Sequence, residues 1–243
     1  MRGCESCRGC GSRDAAADAA DPGRPQEQEL DMSERALEQT EQAVRRVAHV
    51  LRLAHAAAGQ ATGLLATPEA GLEQGMITLS GALGELRQET DELVAADTSI
   101  GTIEEADLRS LVTDMYVGQD AGRIDLLIRQ VGDIAWARRS RQPLPGEVRF
   151  RVRDMGDDCL ALVGRAADVV ELSAPHAVMD RQVEDIDRRQ QELCRVLLSS
   201  RDSLTTRDAV DAAVLGRCYQ ECAQRAVAVA RHIALLQETA PGR

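Results

Sequence analysis

Apolar residues recur at three- and four-residue intervals through one segment of this chain after another, and this spacing predicts helices. The first predicted helix runs from Ser33 to Ala66 and carries Leu37, Val44, Val47, Val50, Leu51 and Leu53. Thr67-Pro68-Glu69 breaks it, with the proline placed as at a helix start. A second helix, Glu69 to Ala96, carries Leu72, Met76, Leu79, Leu83, Leu86 and Leu93, but glycines 71, 75, 81 and 84 weaken its propensity. After a turn at Asp97, a third helix follows from Glu104 to Ser140, roughly 50 Å long at the helical rise per residue.

Gln142-Pro-Leu-Pro-Gly146 ends that helix and is the strongest boundary in the chain. Beyond it the plan repeats: a helix from Glu147 to Leu172, a break at Ser173-Ala-Pro175, a helix from His176 to Ser200, and a last one from Thr206 to Gln237. At an offset of 98 positions Val112 falls on Val210, Ile124 on Cys222, Val131 on Val229 and Ala135 on Ile233. The expectation is an all-α protein of six long helices in two tandem three-helix bundles, residues 32–141 and 146–239. Residues 1–31, rich in Gly, Ala, Asp and Pro and without periodicity, are expected to form a disordered tail.

Composition agrees with packed helices. The apolar content is mostly Ala, Leu and Val, and the aromatics are only Tyr116, Trp136, Phe150 and Tyr219. A net charge of −11 argues against nucleic acid, whose phosphates need a basic face. No window reaches the roughly 18–20 apolar residues of a membrane span, and the N-terminus lacks the apolar core of a secretory signal, so a cytoplasmic location is expected.

Candidate chemistry is sparse. The chain contains no lysine, which excludes a P-loop, kinase or Schiff-base lysine. None of His49, His55, His176 and His232 completes a Glu-x-x-His or His-Glu-x-x-His arrangement, and no Gly-x-Ser-x-Gly elbow exists, so no enzyme is expected. Cys4, Cys7 and Cys10 have a spacing that could ligate an iron–sulfur cluster, yet no fourth cysteine or Cys-Pro adjoins them, and a disordered tail explains them as well. Cys159, Cys194, Cys218 and Cys222 sit in helical patterns and read as small buried residues.

Glu184 and Asp187, one turn apart, could offer two carboxylates to a hard cation or form a solvated polar face. Asp120, Arg123 and Asp125 form a second polar patch, open between ion pair and site. Arg138, Arg139 and Arg141 could bind an anion, although cations commonly complement a helix C-terminus. Gln220 and Gln224, four apart, share one face of the last helix.

The run DAVDAAVLGRCYQECAQRAVAVARHIALL, starting at Asp208, resembles the last helix of PhoU proteins, whose pattern reads A-V-D-x-x-L-L-G-R-x-Y-E-R-x-A-D-H-A-V-x-V-A. Ala209, Val210, Asp211, Leu215, Gly216, Arg217, Tyr219, Ala223, Ala226, Val227, Val229 and Ala230 carry the likeness. In the third predicted helix, Asp107-Leu108-Arg109 matches an Asp-Leu-Arg opening, and Asp120 and Arg123 match an Asp-x-x-Arg. The resemblance spans residues 33–238 and implies the same six-helix plan; Met32 stands where such chains commonly begin.

In that family the third and sixth helices carry a Glu and, four residues later, an Asp, which with acids of the second and fifth helices bind iron, zinc or similar metals. The resemblance places those positions here at Gln220 and Gln224, at Gly122 and Leu126, and at Gly84; Asp187 and Glu184 are the survivors. A neutral carboxamide is a weaker metal donor than a carboxylate. The expectation is that no cofactor is needed: the first site is lost, and the second is vacant or binds a divalent cation, iron or zinc weakly.

The resemblance further implies a non-enzymatic regulator that joins the ATPase subunit of the phosphate ABC transporter to a sensor histidine kinase. It would restrain the phosphate-starvation response, reach the membrane through these partners only, and form a homodimer. The eroded metal positions leave an alternative open, a divergent helical-bundle scaffold for another protein partner.

Overall fold

The computed structural model describes residues 24–66, 105–172, 177–199 and 204–239, with isolated positions between 74 and 92. Within those spans the side chains of 24–40, 42–43, 105–114, 172, 177–178 and 236–239 lie outside the described set. The described elements are helices: α1 (Arg24–Ala66), α2 (Glu105–Arg138), α3 (Gly146–Leu172), α4 (Ala177–Ser199) and α5 (Thr206–Thr239). The predicted helix 69–96 falls mostly outside the described residues; its described positions are helical, and Thr78 bonds back to the carbonyl of Gln74 at 2.9 Å.

Four of the five helices end within two or three residues of where periodicity places them. α1 is the exception, because it begins at Arg24 rather than Ser33 and takes in 24–31 of the segment expected to be disordered. Pro25 in the first turn suits a helix start, and Gln26 to Leu30 are good helix formers that an apolar-period reading overlooks. The chain divides into two compact units, Met1–Ala36 and Leu37–Arg243. Cys4, Cys7 and Cys10 lie outside the described residues.

The described helices of the two halves share a core. One continuous core joins Leu51, Ala54, Ala57, Ala58 and Ala61 of α1 to Ile124, Leu127 and Ile128 of α2, Met155, Cys159 and Leu162 of α3, Ile186 and Leu193 of α4, and Leu215, Ala223 and Ala226 of α5. The reason is side-chain size. Alanines line α1 and α5 where large residues would hold the halves apart, so helices of both halves approach and bury surface together.

Glycine serves the same end at two places. A Cβ on Gly156 of α3 would stand 2.9 Å from Thr62 Cγ2 and 3.3 Å from Tyr219 Cζ, where the Thr62 and Tyr219 hydroxyls share a 3.0 Å hydrogen bond. A Cβ on Gly216 would come within 2.6 Å of Leu193 Cδ2, so bare backbone lets α5 lie close against α4. Burial drives the Tyr219 phenol well above its ordinary pKa, which keeps it a neutral hydrogen-bonding group.

α2 and α5 run antiparallel, and their polar contacts mark the register. Tyr116 stacks on His232, Arg225 donates to Asp120 at 2.8 Å, Arg123 to Glu221 at 2.7 Å, and Cys218 to Gln130 at 3.3 Å. At the far end Arg138 reaches Asp208 at 2.8 Å and Asp211 at 2.7 Å, and Arg141 meets the same two carboxylates. Thr205 caps α5, accepting the Asp208 amide at 3.1 Å while its hydroxyl donates to the Asp208 carboxylate at 2.6 Å. Arg123 and Glu221 lie 98 positions apart, so this seam joins residues that correspond in the two halves.

Candidate functional site

α4 carries Asp187 on the side facing α5, and the helical spacing of Gln220 and Gln224 brings both carboxamides onto it. Gln220 Nε2 and Gln224 Nε2 each donate to Asp187 Oδ1 at 2.8 Å, and Arg217 Nη1 donates to Gln220 Oε1 at 3.2 Å. Asp187, Gln220 and Gln224 are half-buried. Glu184, one turn before Asp187 on α4, is exposed and makes no hydrogen bond or ion pair among the described residues. Arg217, a match to the family motif, therefore orients a carboxamide and also lies 3.8 Å from Glu221.

The corresponding place in the first half looks different. Gly122 is buried in α2 and Leu126 is exposed, with 59% of its surface open. The guanidinium of Arg129 stands 3.7 Å from where a Cβ on Gly84 would lie and bonds Asp125 at 3.0 Å. A fixed cation of the protein thus adjoins the position where the family carries an acid.

The other sequence candidates resolve as ion pairs. Asp120 and Arg123 staple α2 to α5, and the Arg123 hydrogen bond holds the Glu221 carboxyl below its ordinary range. The Thr205 hydroxyl and then Arg138 do the same for Asp208. Arg138 and Arg141 are occupied by Asp208 and Asp211, while Arg139 lies 3.4 Å over the Trp136 ring, so the arginine cluster forms no open anion seat. Asp107 and Arg109 belong to the first turns of α2, with side chains outside the described residues.

Sequence reasoning missed two features. Arg189 of α4 bridges Asp154 and Asp158 of α3, where burial raises the Asp158 carboxyl above its usual range. Cys159, Cys218 and Cys222 line one small apolar cavity with Ala58, Leu127 and Tyr219. Burial pushes the Cys218 thiol up to about 11, and a hydrogen bond with the free Cys222 together with burial raises Cys159 as well, so the Cys159 and Cys218 thiols stay protonated. Their helical spacing predicts burial but not their meeting. Among the described residues no three His, Cys, Asp or Glu side chains converge as metal ligands, and no helix is long and apolar enough to cross a membrane.

The described helices and the Asp187–Gln220–Gln224 cluster define an all-helical class of fold, and comparison with known proteins specifies it. The chain is 27% identical over 198 residues to the phosphate-specific transport system accessory protein PhoU homolog 2 of Mycobacterium tuberculosis and to that of Mycobacterium bovis, covering 81% of this chain and 93% of each relative. It is 30% identical over 129 residues to PhoU homolog 1 of Mycobacterium leprae, which covers 52% of this chain and 58% of that protein. The crystal structure of PhoU from Pseudomonas aeruginosa superposes with a TM-score of 0.61 at 16% identity, over 84% of this chain and 98% of that one. A PhoU-like phosphate regulatory protein from Shewanella oneidensis gives 0.52 at 15%, over 80% and 98%. No family model matches the chain. The chain is similar to PhoU proteins along most of its length, in sequence to the mycobacterial homologues and in fold to the solved structures.

Proposed function

We propose that this protein is a non-enzymatic accessory protein of phosphate transport. In this reading it links the ATPase subunit of a phosphate ABC transporter to a sensor histidine kinase and restrains the phosphate-starvation response when phosphate is plentiful. It acts in the cytoplasm as a homodimer and meets the membrane only through its partners. The observation that carries the reading is likeness along 93% of the length of PhoU homolog 2. The ion-paired helical body supplies long rigid faces for docking, and a bias between two docked states would carry the signal.

Deleting the gene and following an alkaline-phosphatase reporter in phosphate-replete medium tests this. Derepression, reversed by the full chain supplied in trans, is the expected result. An unchanged reporter in a strain with no second copy of such a gene would contradict it. A second reading, a helical scaffold for a different partner, draws support from the replaced acids at 84, 122, 126, 220 and 224. A neighbouring phosphate-transporter or two-component operon would favour the first reading, and an orphan locus the second.

A further inference from the structure

The family's metal chemistry does not fit the residues present. Where it would need converging carboxylates, the α4–α5 face holds one carboxylate and two carboxamides, and the geometry fixes which way the amides turn. Both Nε2 atoms lie 2.8 Å from Asp187 Oδ1, and Gln220 Oε1 accepts from Arg217 at 3.2 Å. Turned the other way, each carbonyl oxygen would abut the carboxylate, and Gln220 would present NH2 to a guanidinium. Both arrangements are repulsive. A carboxamide that turns its NH2 inward has no lone pair there for a cation.

We infer that Gln220 and Gln224 take the structural place of a metal ion at this face: they are built-in donors that satisfy the Asp187 carboxylate and lock α4 to α5, so the lock needs no metal. The spacing supports the substitution. Around an octahedral cation with short metal–oxygen bonds, neighbouring oxygens stand about 2.9 Å apart. The two nitrogens stand at nearly that distance from Asp187 Oδ1, so the edge of a ligand shell persists with amide hydrogens filling it. Gly216 makes the arrangement possible, because α5 could not lie close against Leu193 with a side chain there. In the first half Arg129 beside Gly84 supplies a positive group by an independent route. The inference concerns the chemistry of this cluster and stands or falls apart from the phosphate-signalling reading.

The test measures metal content and thermal unfolding of the full chain after growth and dialysis with iron, zinc or manganese. The wild type is expected to hold far less than one equivalent and to melt at the same temperature with and without chelator. Q220E/Q224E, which sets two further carboxylates against Asp187, is expected to melt roughly 5 °C lower in chelator. Should that variant fail to fold, Q220A/Q224A removes the donors without adding charge, and about half that fall is expected. A stoichiometric metal in the wild type, whose removal lowers the melting temperature, would overturn the inference. So would an unchanged melting temperature for both variants, because the glutamines would then hold nothing.

Discussion

In the first half of the chain the positions where the family carries acids hold Gly84, Gly122 and Leu126; in the second half they hold Gln220 and Gln224 opposite a surviving Asp187. The first set has lost its polar side chains, and a guanidinium stands beside the vacated position. The second has kept polar side chains: Gln220 exchanges one oxygen of a Glu for a nitrogen, and Gln224 does so with one more methylene than the Asp it replaces. The first change removes the polar groups of the face, and the second keeps polar groups there while reversing what they attract. Side-chain identity at two positions, rather than backbone arrangement, therefore decides whether the α4–α5 face attracts a cation or supplies its own donors.

The comparison breaks most severely at Gly216. Gly216→Val would drive a side chain into Leu193 and Gln190, forcing α5 away from α4 and pulling both glutamines off Asp187. Denaturant unfolding should show a loss of about 3 kcal/mol, the upper end for overpacking a filled core. At the end of the α2–α5 seam, Arg138→Ala would leave Arg141 as the one arginine on Asp208 and Asp211, with Thr205 still on Asp208. About 2 kcal/mol should be lost in the same assay, below the range for a fully buried pair because the carboxylates keep some solvent contact.

A smaller effect is expected from pH. Glu221 is held below its ordinary pKa by Arg123 and Asp208 by Thr205 and Arg138, so their contribution is complete only above about pH 5.5, where both carboxyls are ionised in the unfolded chain, and is lost as pH falls through the depressed folded values. Asp158 works with the opposite sign, since burial raises its pKa and protonation relieves the folded state. Glu221→Gln should therefore flatten the acid limb of a melting-temperature profile below about pH 4, while Asp158→Asn steepens it. Smallest of all, Leu126→Gln should change stability by less than about 0.5 kcal/mol, because the side chain is already exposed. A large loss there would show that the first-half position still supports structure.

Helix content and most helix ends were legible in the sequence because apolar spacing and the prolines near 68, 143, 145 and 175 record them directly. The single shared core was not, because periodicity reports which face of a helix is apolar and not which other helix meets it. The polar patch around Asp120 shows the same limit: its residues were visible, but their partners Glu221 and Arg225 depend on the rotation and register of α5. The glutamine pair was legible as a shared face, since four-residue spacing dictates it. Its engagement with Asp187 required the close α4–α5 approach at Gly216, which apolar spacing does not record.

The contrast between the two halves is tested most directly by calorimetric titration of manganese into two variants of the full chain. Q220E/Q224E restores acids where polar groups persist, and G84D/G122E/L126D restores them where they are gone. The account predicts about one bound equivalent for the first variant, with its melting temperature raised by the metal, and none for the second, where Arg129 adjoins the restored acid. Binding by the second variant but not the first, or by the wild type as well as both, would contradict it.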